Sequence, residues 1–237
     1  MPSQIIYTTD VHGNEEIYEE LFAMGEQPGI AVVLIGGDTS PGFDIEMQRR
    51  FFERYLIPRI QRFRAKTGKP VFIIMGNDDF FINTDLFKKA EKGGILTFLH
   101  GKVDTVGGWH FAGYTCINPG PLFIRDWIRD EGEIAHDLEK IGKKCDMKKT
   151  VFVFHAPPYG TALDVIYNGE HVGSTAILNF IKKRQPALTL HGHIHESPTM
   201  TGKFHERIGK TLAINPGNAN FVIVDLDTMK IVTHVKH

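Results

Sequence analysis

Leu188-Thr189-Leu190-His191-Gly192-His193-Ile194-His195 is the stretch around which the rest of the chain can be read. Its alternating apolar run predicts a strand. That strand delivers two imidazoles, His193 and His195, separated by one residue and preceded by a glycine. Imidazole is a common ligand for Zn-, Fe- and Mn-type ions, and glycine lets the backbone turn closely around whatever the rings face. Taken alone, the pair reads equally well as two surface histidines after a strand. Four earlier apolar runs change the balance, because each also ends in a metal-competent side chain.

The first of these, Gln4 to Thr9, is β-rich and ends at Thr9-Asp10-Val11-His12-Gly13-Asn14. Asn14 is placed to cap a helix with Glu15 and Glu16 in its first turn and Ile17, Tyr18, Leu21 and Phe22 as its apolar stripe. Ile30 to Ile35 is nearly continuous apolar sequence, as expected of a strand buried on both faces, and ends at Gly36-Gly37-Asp38. A long helix is expected from about Asp44 to Lys66, bent or split at Pro58. Its arginines (Arg49, Arg50, Arg54, Arg59, Arg62, Arg64) are interleaved with Glu46 and Glu53, so a solvated face is the simpler reading than a nucleic-acid surface.

Pro70 to Met75 predicts a third buried strand, ending at Gly76-Asn77-Asp78-Asp79, and Thr84 to Glu91 a short helix. From Ile95 to Tyr114 short runs with glycine turns predict antiparallel hairpins. Pro119 to Arg125 reads as a surface loop and Asp130 to Lys144 as a helix. Val151 to Phe154 is a strand ending at His155, followed by about fifteen loop residues, long enough to suspect a lid. Ser174 caps the next helix, and three closing strands follow at Thr211 to Ile214, Phe221 to Leu226 and Lys230 to Val235.

Composition bounds the rest. At 237 residues with 42% hydrophobic and 23% charged content, the chain can bury a sizeable core, and 1–237 reads as a single domain. A formal net charge of -1 gives no global field to recruit nucleic acid or an anionic membrane. Cys116 and Cys145 suit neither a disulfide framework nor a CxxC zinc site. No run has the length of a membrane span and the N-terminus has no signal pattern, so the expected location is cytoplasmic. The 17 phenylalanines leave room for a self-association patch and hence a homo-oligomer.

In open α/β sheets, functional side chains gather just beyond the carboxyl ends of the strands. Here five strands finish at Asp10/His12, Asp38, Asn77, His155 and His193/His195. Each has an ordinary reading, such as a helix cap, an Asx-turn or a core histidine. Together they supply seven oxygen and imidazole ligands at one structural position, too many for a tetrahedral zinc. They suit two ions sharing a carboxylate, roughly 3.5–4 Å apart, whose natural client is a phosphoryl group. No P-loop, serine elbow or cysteine nucleophile motif competes.

Asp10-Val11-His12, Gly37-Asp38, Gly76-Asn77, His155 and Gly192-His193-Ile194-His195 resemble the ordered motif series of the calcineurin-like metallophosphoesterases. The Asn215-Pro216-Gly217 turn also resembles small prokaryotic members. The resemblance implies an α/β four-layer sandwich of two facing mixed β-sheets flanked by helices. It implies that Asp10, His12, Asp38 and His195 hold one metal, and that Asp38, Asn77, His155 and His193 hold the other. The implied cofactors are two divalent transition-metal ions (Mn, Fe, Ni, Co or Zn, with Mn favoured), with a bridging hydroxide as nucleophile. His191 has no ligand role in that pattern and is expected to pack.

The sequence departs from the commonest pattern after Gly-Asn. Many members carry His there, where this chain has Asp78. Asp78 is therefore a candidate general acid, if its pKa is raised, or a carboxylate that repels dianionic monoesters. Either role makes Asp38, Asn77, Asp78 and His155 the catalytic candidates. The expected activity is hydrolysis of a small, nucleotide-like phosphodiester, with no nucleic-acid or membrane partner. A monoesterase, a nuclease and a non-catalytic metal-binding scaffold are the alternatives. Tyr159, His171, Asn118 and Arg125 are candidate substrate contacts.

Overall fold

The computed structural model describes residues 3–120 and 126–237. The chain opens with strand β1 (Gln4–Thr8), helix α1 (Glu15–Gly25) and strand β2 (Ile30–Gly36). Helix α1 starts where expected: Asn14 accepts from the backbone N–H groups of Glu16 and Ile17.

The arginine-rich segment is not split at Pro58. Helix α2 (Ile45–Phe51) passes through a π-helical turn at Phe52–Leu56 straight into helix α3 (Ile57–Thr67). Proline has no N–H and its ring crowds the carbonyl four residues back, here Arg54. The wider turn containing Arg54 absorbs that crowding without ending the helix. Arg49 pairs with Asp85, and Arg59 with Glu19, so part of this face is neutralised by neighbouring carboxylates.

Strand β3 (Val71–Ile74), helix α4 (Thr84–Lys92) and the two-residue strand β4 (Thr97–Phe98) complete the first half. The segment from Ile95 is not all hairpin: β4 adds parallel to β3. Strands β5 (Val103–Val106) and β6 (Trp109–Tyr114) do form the expected hairpin, with Gly107 and Gly108 both at positive φ, as a tight two-residue turn requires. Helix α5 (Glu131–Gly142) carries a full capping box from Asp130 and Glu133. Strand β7 (Thr150–Phe154) and helix α6 (Thr175–Arg184) follow.

The histidine stretch is a strand only over β8 (Leu188–Leu190). Helix α7 (Ser197–Thr201), and strands β9 (His205–Ile208), β10 (Thr211–Ile214), β11 (Phe221–Asp225) and β12 (Lys230–Val235) close the chain. Among the described residues, no helix is long and apolar enough to cross a membrane.

Two mixed six-stranded sheets result, ordered β12-β11-β1-β2-β3-β4 and β5-β6-β7-β8-β10-β9. Strand alternation assigns each side chain a layer. Ile5, Tyr7, Val32, Leu34, Phe72 and Ile74 from the first sheet meet Phe111, Val151, Val153, Leu188 and Leu190 from the second, and all are buried. The intervening residues Ile6, Val33, Ile35, Phe152 and Phe154 pack instead with the apolar stripes of the flanking helices. This is the four-layer sandwich the resemblance implied. Most phenylalanines are core. Among the described residues Phe43 and Phe81 are the exposed ones.

Candidate functional site

Each sequence-predicted ligand except those of the histidine pair lies within four residues of the carboxyl end of β1, β2, β3 or β7. The strand ends come from both sheets, and main-chain hydrogen bonds lace the loops together. Asp10 and His12 donate from their backbone N–H groups to the carbonyls of Gly37 and Asp38, at 3.0 and 2.9 Å. Gly192 N–H donates to the His155 carbonyl at 2.9 Å. Across the sheets, His193 N–H reaches both carboxylate oxygens of Asp10, at 3.1 and 3.2 Å.

This close approach depends on glycine at two places. A Cβ on Gly76 would lie 2.1 Å from Asp38 Oδ1, and one on Gly192 would lie 2.1 Å from Thr9 Oγ1. The loops are also strained. Seven non-glycine residues among those described have positive φ, and four of them are Asp10, His12, Asp38 and His193, at 54°, 48°, 48° and 65°. Such backbone costs about 1–3 kcal/mol per residue and persists where the surrounding structure over-determines it.

Two groups of ligand atoms converge, each within 4.8 Å: Asp10, His12 and Asp38 in one, and Asp38, His155 and His193 in the other. Asp38 belongs to both. Around His155 the chemistry asks for a cation. Its Nε2 lies 3.0 Å from Asn77 Oδ1 and 3.2 Å from Asp38 Oδ2. Its Nδ1 is 2.9 Å from the Gly36 carbonyl, which takes a proton there and leaves Nε2 as a lone-pair donor. Two oxygen acceptors and an imidazole lone pair converging on one point suit a metal ion. Without one, a proton substitutes. Burial opposes charging His155, yet the adjacent Asp38 carboxylate pushes the imidazole up to about 10. Asp38 itself is held well below the ordinary carboxylate range, against its burial, by His155. Asp10 is pushed up by burial, with the Asp38 charge adding to it and His155 opposing.

His195 stands apart from both groups. It lines the same cavity, and its ring is 6.2 Å from that of His12, with Nδ1 3.8 Å from a Glu196 oxygen. The cavity, about 820 Å³, is also lined by Asp78, Asn118, Tyr159 and His171. Arg125 lies outside the described residues. Asp78 accepts from Asn77 Nδ2 at 2.7 Å and faces His12 Nδ1 at 3.9 Å. Burial first, and the Asp38 charge second, raise its carboxyl to about 6.

Two residues central to the geometry escaped the sequence reading. Asp79, wholly buried, accepts from the N–H and hydroxyl groups of Thr39 and Ser40 and from Gly76 N–H. It thereby ties the Asp38 loop to the Asn77 loop. Asp164, also wholly buried, accepts from the N–H groups of Gly160, Thr161 and Gly173 and from His171 Nδ1. The long loop is therefore pinned from within. A carboxylate beside glycine and threonine was the available signal in both cases, but a turn reads the same way.

His191 is the packing residue expected. It is buried, stacks on Phe154 at 5.4 Å, and meets the Ala156 carbonyl and Thr189 Oγ1 at 2.9 Å each. Burial lowers its pKa from 6.5 to about 4. As pH falls through that window the unfolded chain takes up the proton first, so stability present above pH 6.5 is lost toward pH 4. The expected loss from this one side chain is about 2–3 kcal/mol. Denaturant midpoints of the chelator-treated protein across this range should fall less steeply for His191→Gln. An equally steep fall would contradict the assignment.

The family model for the calcineurin-like phosphoesterases matches residues 3–197. This chain belongs to that family. Among solved structures, TT1561 of Thermus thermophilus superposes on this chain with a TM-score of 0.76 at 18% identity, covering 99% of this chain and 98% of that one. A structure described as a novel archaeal phosphodiesterase gives 0.52 at 11% identity, covering 98% of each. At these identities the likeness speaks to the fold. The protein MJ1162 of Methanocaldococcus jannaschii, named as uncharacterized, is 29% identical over 135 residues, which is 55% of this chain. The match spans 58% of that relative's length.

Proposed function

We propose that the chain is a metal-dependent phosphodiesterase acting on a small, nucleotide-like ester at a binuclear centre. The observation that carries this reading is the membership of Asp38 in both converging ligand groups. Asp10, His12, Asp38 and His195 would hold one ion, with Asp38, Asn77, His155 and His193 holding the other. Two divalent cations there, manganese first among the candidates, supply Lewis-acid neutralisation of the phosphoryl oxygens and make water a better nucleophile at neutral pH.

The chain's own residues do the rest. Gly36 holds His155 in the tautomer that leaves Nε2 available, and Asp79 keeps the loops bearing Asp38 and Asn77 in mutual register. Phe43, Tyr159, Ile166 and Val172 give the cavity an apolar wall suited to the organic part of an ester. Asp78 has one carboxylate oxygen bonded to Asn77 and the other facing His12, and nearby cations favour its charged form. As a carboxylate it disfavours a dianionic monoester more than a monoanionic diester.

The test is chelator treatment followed by single additions of Mn, Ni, Co, Zn or Mg, with bis(p-nitrophenyl) phosphate and p-nitrophenyl phosphate as substrates. Metal-restored hydrolysis of the diester is the expected result. Hydrolysis of the monoester alone would keep the centre and overturn the diester reading. Asp78→His should shift the monoester-to-diester ratio of kcat/KM toward the monoester by about tenfold, ~1.4 kcal/mol. An unchanged ratio would remove the electrostatic role given to Asp78.

A further inference from the structure

Alkyl and nucleoside leaving groups depart from phosphorus as strongly basic alkoxides and need a proton as the P–O bond breaks. Four histidines line the cavity: His12, His171, His193 and His195. Three are candidate metal ligands. His171 comes from the pinned loop instead, and its Nδ1 lies 2.7 Å from Asp164 Oδ1. Asp164 is wholly buried, while the His171 side chain is 41% exposed. With Nδ1 held by a buried carboxylate, Nε2 is the free nitrogen of the ring; it has no partner among the described residues. A carboxylate on Nδ1 fixes the ring orientation, the arrangement that suits a proton-transferring histidine.

Two carboxylates of the cavity, Glu131 and Asp78, are already engaged as acceptors. Glu131 accepts from Ser174 Oγ and from the N–H groups of Thr175 and Ala176 at the start of α6. Asp78 is engaged as an acceptor by Asn77.

We propose that His171, oriented by Asp164, donates the proton to the leaving alcohol, an assignment that rests on the phosphodiesterase reading above. A water oxygen forms the new P–O bond while the bond from phosphorus to the leaving oxygen breaks. The leaving oxygen takes the Nε2 proton of His171. The proton lost by the attacking water goes to solvent, and solvent reprotonates His171.

The test uses leaving-group dependence, which a merely structural role would not move. Wild type, His171→Gln and His171→Asn are assayed with manganese on bis(p-nitrophenyl) phosphate and on methyl phenyl phosphate and dimethyl phosphate. The nitrophenolate leaves without a proton, so kcat on that ester should fall less than about threefold. On the poorer leaving groups it should fall by about 10²-fold or more, with KM little changed. Manganese content and unfolding midpoint should match wild type, because the ring is at the cavity surface. An equal loss on every ester, or no loss on the poor leaving groups, would overturn the assignment. A wild type inactive on all of them would remove the phosphodiesterase reading and this assignment with it, whereas an active wild type with an insensitive variant removes the assignment alone.

Discussion

Asp38→Asn should lower kcat for the diester by more than about 10³-fold, because removing even a residue that only orients a metal ligand costs about 10–100-fold. The expected loss is larger here since Asp38 contributes to both ligand groups. The substitution keeps the shape of the side chain, and asparagine tolerates the left-handed backbone found at this position, φ 48°. It removes the charge that keeps His155 protonated in the metal-free protein. Metal analysis after dialysis should therefore show a fall in bound manganese from about two ions per chain to one or fewer. A variant within tenfold of wild type and still holding two ions would overturn the shared role of Asp38.

Asp79→Ala should give the largest loss of stability. The carboxylate is buried and is the acceptor for three backbone N–H groups and two hydroxyls, those of Thr39, Ser40 and Gly76. Alanine leaves these donors buried without a partner, and breaking such a charged network costs about 3–5 kcal/mol. For a chain of this length that corresponds to a fall in Tm of roughly 10 °C or more. Asp79→Asn keeps an acceptor oxygen and should cost about half as much. Denaturant unfolding of both variants is the measurement. A cost below about 1 kcal/mol for the alanine variant would show that the loops hold their positions without the clamp.

Much of the ligand set was legible because strand ends are local features. Ile5-Ile6-Tyr7, Val32 to Ile35 and Phe152-Val153-Phe154 are apolar on both faces, so each marks a strand covered twice. The polar residue that ends each run is where the covering stops. His191 was also separable from its neighbours: it directly follows the three residues of β8, and the motif order leaves it out.

The π-helical turn before Pro58 and the pinned loop after His155 were not legible. A proline restricts its helix in one way locally, but whether the ladder breaks or widens depends on the packing of Phe52 and Leu56, both fully buried. A loop's length likewise says nothing of a buried carboxylate within it. His171 is seven residues from Asp164, and in sequence their relation is that of any two loop residues.

The sequence by itself determined which side chains stand at strand ends and which strands are covered on both faces. Tertiary structure alone decided that these strands divide between two sheets, with β1, β2 and β3 in one and β7 and β8 in the other. It also decided that Asp79 and Asp164 are clamps rather than turn residues. The physical reason is the range of the interactions. An apolar run and its polar end are set by neighbouring residues, whereas Asp79 meets donors about 40 positions away and Asp10 meets His193 across 183. Such pairings depend on sheet register and on the close approach allowed at Gly76 and Gly192, which no local pattern encodes.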